Sequence, residues 1–542
     1  MKKKGIAKRG ILLGGVIWIQ SLAAQPLYTN TPALLLNSQG WAQTDFSTRA
    51  GSYENTGLLL NGLELKVPWS AHFNAERPLP DFLFAAPALL TGGANTSSFS
   101  DGALALQLLP QPNGGEASLL AGTRSHYTGS LASFFGGIGG FIDGESARGI
   151  DASANDLDRY RGGILLQKQI QDWQIDLVGS GQKKTFGARG YYGRPADLYA
   201  EETTEDALFS VGATRGDLSD RYFRATALWR QFDDAYTAPT RSDLDYDVRS
   251  RYAALLLEGR TIEIQNLTLF LRGQLEHEAL SGSEGREDRT RGNLLLLPQL
   301  NQTHFRLQAG FATQLETSQS LQILPRCGLD LLLSDNTTLY ASYQETDRAP
   351  DYQTLTANPR LENQKSRNAE TGFRQILSAQ FDWRTALFYR HQQNATDWIA
   401  DTPTPLGTLK TTGLETELHF YPSSRIDLRL FYQWAYKNNN RTDGLYTLDY
   451  PEHLLQLSGF WRFTPSLLLT ASQSLRYQTA NNLRAHGNFG APASIGLHFT
   501  PPFAHTLRLS LLVDNLWGTD FQSIPGLNPP PRTFSAGLST TW

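Results

Sequence analysis

The chain has 542 residues, with 48 Lys and Arg against 52 Asp and Glu, a net charge of −4 and a pI near 6.2, a balance that gives no electrostatic footprint for nucleic acid. The lone Cys327 excludes an intramolecular disulfide framework and any cysteine metal cluster. A hydrophobic fraction of only 40%, a mean hydropathy of −0.36, 11% aromatics and 48 glycines suit alternating strands better than a thick core.

At the N-terminus, Met1-Lys2-Lys3-Lys4 and Lys8-Arg9 precede the apolar run Gly10 to Ile19 and then Ser21-Leu22-Ala23-Ala24-Gln25. This is the pattern of a secretory signal with cleavage near Ala24; the run is too short to span a bilayer as a helix. The alternative, a retained N-terminal anchor, has no second apolar stretch behind it: the richest later run, Leu83 to Leu90, is broken by Pro87.

From about residue 111 to Trp542, segments alternate apolar and polar positions, the dyad signature of a wall with lipid outside and water inside. Phe223, Ala225, Ala227 and Trp229 oppose Arg224, Thr226 and Arg230. Leu267, Leu269, Leu271 and Leu275 oppose Thr268, Arg272, Gln274 and Glu276. The rule repeats at Trp383 to Arg390, at Ile426 to Trp434 and at Thr506 to Asp514. Soluble antiparallel sheets alternate too. Export, aromatics near strand ends (Trp173, Trp229, Trp383, Trp434) and many strands joined by turns as tight as Gln171-Asp172 favour a transmembrane barrel. The residue count divides sensibly into about 22 antiparallel strands, and a barrel that wide is either a pore or plugged. The last strand would set Phe534, Ala536, Leu538, Thr540 and Trp542 on the lipid face.

No H-E-x-x-H, G-x-S-x-G or Walker loop occurs, and no metal-spaced Cys/His cluster. Gly136-Gly137-Ile138-Gly139-Gly140 lacks a following helix pattern and reads as strand or turn. Asp243, Asp245 and Asp247, like Asp151, Asp156 and Asp158, could hold a hard cation in a loop but read first as solvated acidic loops.

Several segments together resemble the TonB-dependent outer-membrane receptors, 22-stranded barrels with an N-terminal plug. Leu339-Tyr340-Ala341-Ser342-Tyr343, Arg348-Ala349-Pro350, Asn358-Pro359 and Glu370-Thr371-Gly372-Phe373 resemble the family's mid-barrel block. Gly413-Leu414-Glu415-Thr416-Glu417 resembles its G-x-E-x-E strand, and Pro451-Glu452-His453 a strand start. Val513 to Trp517, with Asn515, and Arg532 to Trp542 resemble the closing hairpin. Upstream, Gln43 to Ser52 and Leu58-Leu59-Leu60-Asn61-Gly62 resemble plug segments. Where the family has R-I-E-V-L-R-G, this chain reads Ala86-Pro87-Ala88-Leu89-Leu90-Thr91-Gly92.

The resemblance implies a signal peptide at 1–24, a shortened mixed α/β plug at 25–110 and an all-β transmembrane barrel at 111–542, in the outer membrane of a Gram-negative bacterium. It pairs plug residue Arg49 with barrel residues Glu415 and Glu417, and places Trp69, His72 and Asn74 on a plug loop facing ligand. It implies no enzyme activity and no cofactor. The function implied is uptake of a scarce solute, siderophore- or cobalamin-like, by a monomer placed among outer-membrane lipids by the barrel-assembly machinery and driven by the TonB complex. Because no TonB box is recognisable and the plug is short, an uncoupled passive channel or binding barrel is the alternative, and a lipid-acting barrel enzyme a remote one.

Overall fold

The computed structural model describes residues 31–542 apart from 32, 96–97, 112, 150–154, 195–197, 262 and 318. The export signal, its cleavage point and Asp151 lie outside the described residues.

The alternation read along the chain becomes a wall with two chemically different faces. From Gly114 onward each strand pairs antiparallel with the next, and the last, Thr533–Thr541, pairs back onto the first, Gly114–Gly122. The barrel is closed, with 22 strands. Closure leaves no sheet edge with unpaired N–H and C=O groups in lipid. At the seam, Trp542 N–H donates to the Gly115 carbonyl (3.1 Å) and Gly115 N–H to the Trp542 carbonyl (3.0 Å). Phe534, Leu538 and Trp542 stand exposed on the outer face, while Thr533, Ser535 and Ser539 are buried inside. Thr268, Arg272, Gln274 and Glu276 likewise point into the lumen, and Leu267, Leu271 and Leu275 away from it. Cys327 lies exposed on the outer wall.

Two-residue turns, among them Gln171-Asp172, Asp335-Asn336 and Ser424-Arg425, mark the end that carries Trp542. The opposite end carries the long connections 349–363, 438–450 and 515–532. Gly136-Gly137 is one of the tight turns, with φ +59 and +82, a region that costs glycine nothing. The strands overshoot the expected length: Thr402–Ser423 has 22 residues and Phe381–Ile399 has 19, against the 9–11 that cross a bilayer. Trp229 and its cross-strand partner Phe209 therefore sit part-way along their strands. Exposed ion pairs such as Lys183–Glu205 (2.7 Å) occupy the outer wall beyond them, where water can reach the charges.

Inside lies the plug. Strands β1 (Leu35–Gln39) and β2 (Gln43–Ser47) form a hairpin. Strands β3 (Thr56–Leu60), β4 (Leu63–Glu64), β5 (Ala88–Leu90) and β6 (Gly102–Leu106) form a sheet in the order β4-β3-β6-β5, with β3 and β6 parallel. Asn61-Gly62 makes the β3–β4 turn with φ +48 and +86, the two left-handed residues that a tight hairpin requires. Helix in the described plug is confined to short 3-10 turns at Tyr53–Asn55, Ala71–Phe73, Asp81–Leu83 and Gly92–Asn95.

A plug this small cannot enclose its own core. Leu58, Leu60, Leu63, Leu65, Leu83 and Leu104 instead pack against inward-facing Phe134, Phe141, Leu165, Val178, Leu208, Leu228 and Leu256 of the wall. Burial of each leucine is worth about 2 kcal/mol, so the barrel supplies half of the plug's hydrophobic core.

Candidate functional site: charge lock, plug apex and wall cavity

The charge lock begins at the end of β2, where Arg49 and Ala50 both take left-handed φ values (+51 and +55). This sharp reversal aims the Arg49 side chain at the wall. Its Nε and Nη2 donate to the two oxygens of Glu415 (2.9 and 2.5 Å), and Nη1 donates to Glu370 (2.5 Å). Phe388 lies under the guanidinium at 5.1 Å, and Arg384 stands 3.7 and 3.6 Å from the same two carboxylates. All three bonded side chains are buried. A planar fork that satisfies two carboxylates in a low dielectric is the arrangement in which an arginine ion pair is strongest.

Of the two glutamates matched to Arg49 from the sequence, Glu415 is brought to it and Glu417 is not. Glu417 lies nearer the turn end, opposite Arg384 in register, and the Arg49 donors go to Glu415 and Glu370. Glu370 had been marked only as a family position. Its carboxylate also presses on the backbone of Gly92, where any Cβ would collide with it. The plug segment lacking the family's charges thus meets the wall through bare backbone.

At the apex of the plug, the turn Ala71–Phe73 carries His72. Its Nδ1 lies 2.9 Å from Asp45 Oδ2, and its ring stacks on Tyr53 (3.8 Å between centroids) and meets Tyr446 edge-on (4.9 Å). Burial disfavours the charged imidazole, but the neighbouring Asp45 carboxylate outweighs it and holds the His72 pKa above the usual value. Trp69 is packed edge-to-face on Tyr246 (5.2 Å). Asn74 Oδ1 accepts from Val67 N–H (2.9 Å), bracing the loop. Trp69 and His72 are only 2% and 3% exposed, because connections from the wall fold over them. Ala71 N–H donates to Asp351 (2.8 Å), which also caps the helix Tyr352–Ala357, and Tyr352 and Gln353 N–H donate to Pro68 and Trp69 carbonyls (3.0 and 2.8 Å). The 349–363 connection thus lies over this turn, and Tyr446 of the 438–450 connection lies against His72.

The other matched positions are structural fastenings. Arg348 pairs with plug residue Glu54 (2.5 Å), and Pro350 accepts from Arg289 (3.1 Å). Asn358 donates to Pro403 (2.9 Å), and Pro359 follows it in the turn after the helix. Gly372 and Gly413 leave room for the Tyr340 and Phe388 rings. Asn515, with φ +47, accepts from Thr519 N–H and donates to the Pro530 carbonyl, both at 2.9 Å.

Between the β1–β2 hairpin and the wall on the seam side is a cavity of about 590 Å³. It extends from Phe521 and Pro530 at the loop end past Arg161 and Lys184 to Ser458 and Ser472. Its charged lining includes the cross-strand pairs Arg161–Asp143 (2.5 Å) and Arg159–Glu145 (2.6 Å). Among the described residues no group of three His, Cys, Asp or Glu side chains could hold a metal. In the acidic loop, Asp243 pairs with Arg241 (2.7 Å) and Asp245 accepts from Ala238 N–H (2.6 Å).

Residues 109–516 match the family model described as TonB dependent receptor-like, beta-barrel. A search of curated proteins finds no match. Solved structures with the same architecture include the FrpB iron transporter of Neisseria meningitidis (TM-score 0.75, 13% identity, covering 95% of this chain and 96% of that one). The ferric enterobactin receptor PfeA of Pseudomonas aeruginosa (0.75, 13%, 95% and 95%) and the copper transporter OprC (0.75, 13%, 95% and 97%) are similar in the same way. A closed 22-strand barrel, a plug held inside it by an arginine fork, and a family match over most of its length together establish that this chain belongs to the TonB-dependent receptor β-barrel family.

Proposed function

We propose that this protein is an outer-membrane uptake receptor: it binds a scarce solute, siderophore- or cobalamin-like, at the loop end and passes it inward when the plug shifts, with the TonB complex supplying the work. The observation that carries this reading is the fork from Arg49 to Glu370 and Glu415. It fixes the plug by one compact set of charge-assisted bonds that a pull on the N-terminal side can release together. Similar structures bear the names of an iron transporter, a ferric enterobactin receptor and a copper transporter. With one Cys and one Met in the chain, soft-ligand capture of copper has little to work with, which favours an oxygen-rich chelate as cargo.

The 590 Å³ cavity beside the plug favours a second reading, a barrel that passes small solutes passively without coupling. Planar-bilayer conductance separates the two. A receptor stays closed with the plug seated and opens when residues 25–110 are deleted; large steady currents from the intact protein would sink the uptake reading. Co-purification with the periplasmic domain of TonB in the presence of an iron-chelate panel tests coupling separately.

A further inference from the structure

At the loop end, on the strands Glu201–Gly216 and Tyr222–Thr237, two carboxylates are buried together. Glu202 is 0% and Asp234 1% exposed. Tyr246 Oη lies 3.2 Å from Asp234 Oδ2 and 3.4 Å from Glu202 Oε1, and Tyr192 Oη donates to Glu202 Oε2 at 2.8 Å. One phenolic proton on Tyr246 can serve only one of the two acids.

Two cations lie nearby without forming an ion pair to either acid, and Arg194 Nη1 is buried without a hydrogen-bond partner. Lys184 pairs with Glu76 and donates to the Ala42 carbonyl (2.9 Å), while Arg194 stacks on the Tyr236 ring (4.4 Å). Asp234 Oδ1 and Thr204 Oγ1 are buried without a hydrogen-bond partner. Thr204 is the residue directly opposite Asp234 in the strand register. Two carboxylates this close in a low dielectric do not both ionise unless a positive charge joins them.

We propose that Glu202, Asp234, Tyr192 and Tyr246, with Thr204, bind a hard divalent cation, Ca²⁺, at the loop end of the barrel. The donors are all oxygens, with no thiolate, thioether or imidazole among them, which selects hard ions. Their separations of 2.8 to 3.4 Å match the edges of a polyhedron whose metal–oxygen bonds are about 2.3–2.6 Å. Two carboxylates balance a dication, and two carboxylates with three hydroxyls give the flexible, high ligand count that calcium takes and magnesium does not. Tyr192 N–H also donates to Gln39 at the end of β1 (3.1 Å). The ion would therefore fasten Tyr192, three strands and the plug hairpin into one unit. The wall cavity is lined by Lys184, the other cross-strand neighbour of Thr204.

The test uses the whole purified protein, stripped with chelator, titrated with Ca²⁺ by calorimetry and with Tb³⁺ by luminescence sensitised through Tyr246 and Trp69. We expect one saturable Tb³⁺ site from which Ca²⁺ displaces the lanthanide. Glu202→Gln and Asp234→Asn should each weaken it at least tenfold, and Asp243→Asn should leave it unchanged. The shift in gel mobility between unheated and heated barrel checks that each variant assembles. If neither charge variant does, Tyr192→Phe carries the test: it removes one donor and no charge, and should weaken binding at least threefold. No Ca²⁺ uptake by the wild type at about 10 mM, tenfold above the weakest extracellular calcium modules, overturns the proposal. So does wild-type affinity in an assembled Glu202→Gln variant, in Asp234→Asn, or, where neither assembles, in Tyr192→Phe. These results would leave the two acids sharing a proton.

Discussion

Replacing Arg49 by alanine should loosen the plug without disturbing the wall. The side chain makes three bonds to two buried carboxylates, and its loss strands both in a low dielectric. Breaking a buried, hydrogen-bonded ion pair costs about 3–5 kcal/mol. Arg384, already 3.6–3.7 Å from both acids, can recover part of that, so the lower end, about 3 kcal/mol, is the working figure. At about 1.4 kcal/mol per decade, the population of barrels with an unseated plug should rise by about two orders of magnitude. The assay is single-channel recording while urea is raised, counting the concentration at which each barrel opens. Arg49→Ala should open well below wild type. Arg49→Lys, which keeps the charge and loses the fork, should fall between, and adding Glu370→Gln and Glu415→Gln to the alanine variant should recover much of the loss. Equal opening concentrations for wild type and Arg49→Ala would refute the reasoning.

Leu228→Ala removes a wall residue from the plug's hydrophobic core and should cost about 2–5 kcal/mol. That will be visible as faster protease cleavage within 31–108 while the barrel stays intact; unchanged cleavage would mean the plug has a core of its own. His72 has a raised pKa in the folded state, so the stability it contributes is complete below its ordinary value near 6.5 and is lost as pH rises through the folded value. Protection factors for amide exchange at 70–74, corrected for the intrinsic pH dependence, should therefore fall as pH rises past the ordinary histidine range, and His72→Gln should abolish that fall. Deleting Trp542, whose main chain makes two seam bonds, should lower the heat-modifiable, assembled fraction in membranes several-fold; full assembly would assign closure to the remaining register alone.

The wall was legible because its two faces sit in solvents as different as lipid and water, and that difference is written at every second residue of segments such as Leu267 to Glu276. The turn at Asn61-Gly62 was legible for a local reason, its need for two left-handed residues. What escaped was set by partners far along the chain. Leu228 falls on the lumen face with Thr226 and Arg230, where the alternation calls for a polar residue, because the lumen is apolar where the plug rests. The roles of Glu370 and Arg384 depend on Arg49, 321 residues from Glu370, which joins Glu370 to Glu415 beside Arg384. Glu417 shares the pattern of Glu415 but not its height in the barrel. Trp69, His72 and Asn74, expected on a plug loop facing ligand, lie around the turn Ala71–Phe73. Their burial depends on connections whose sequences carry no periodic signal.

The cavity between hairpin and wall also has a meaning for the order of assembly. Thr533 and Ser535 of the final strand and Leu120 of the first border it, whereas the plug's apolar side is pressed against strands from Phe134 to Leu256. The first and last strands therefore border open space there rather than the plug's packed leucines. A plug filling the lumen evenly would have to be compressed before the first and last strands could zip. Clearance on that side means the seam between first and last strands can close without displacing plug side chains.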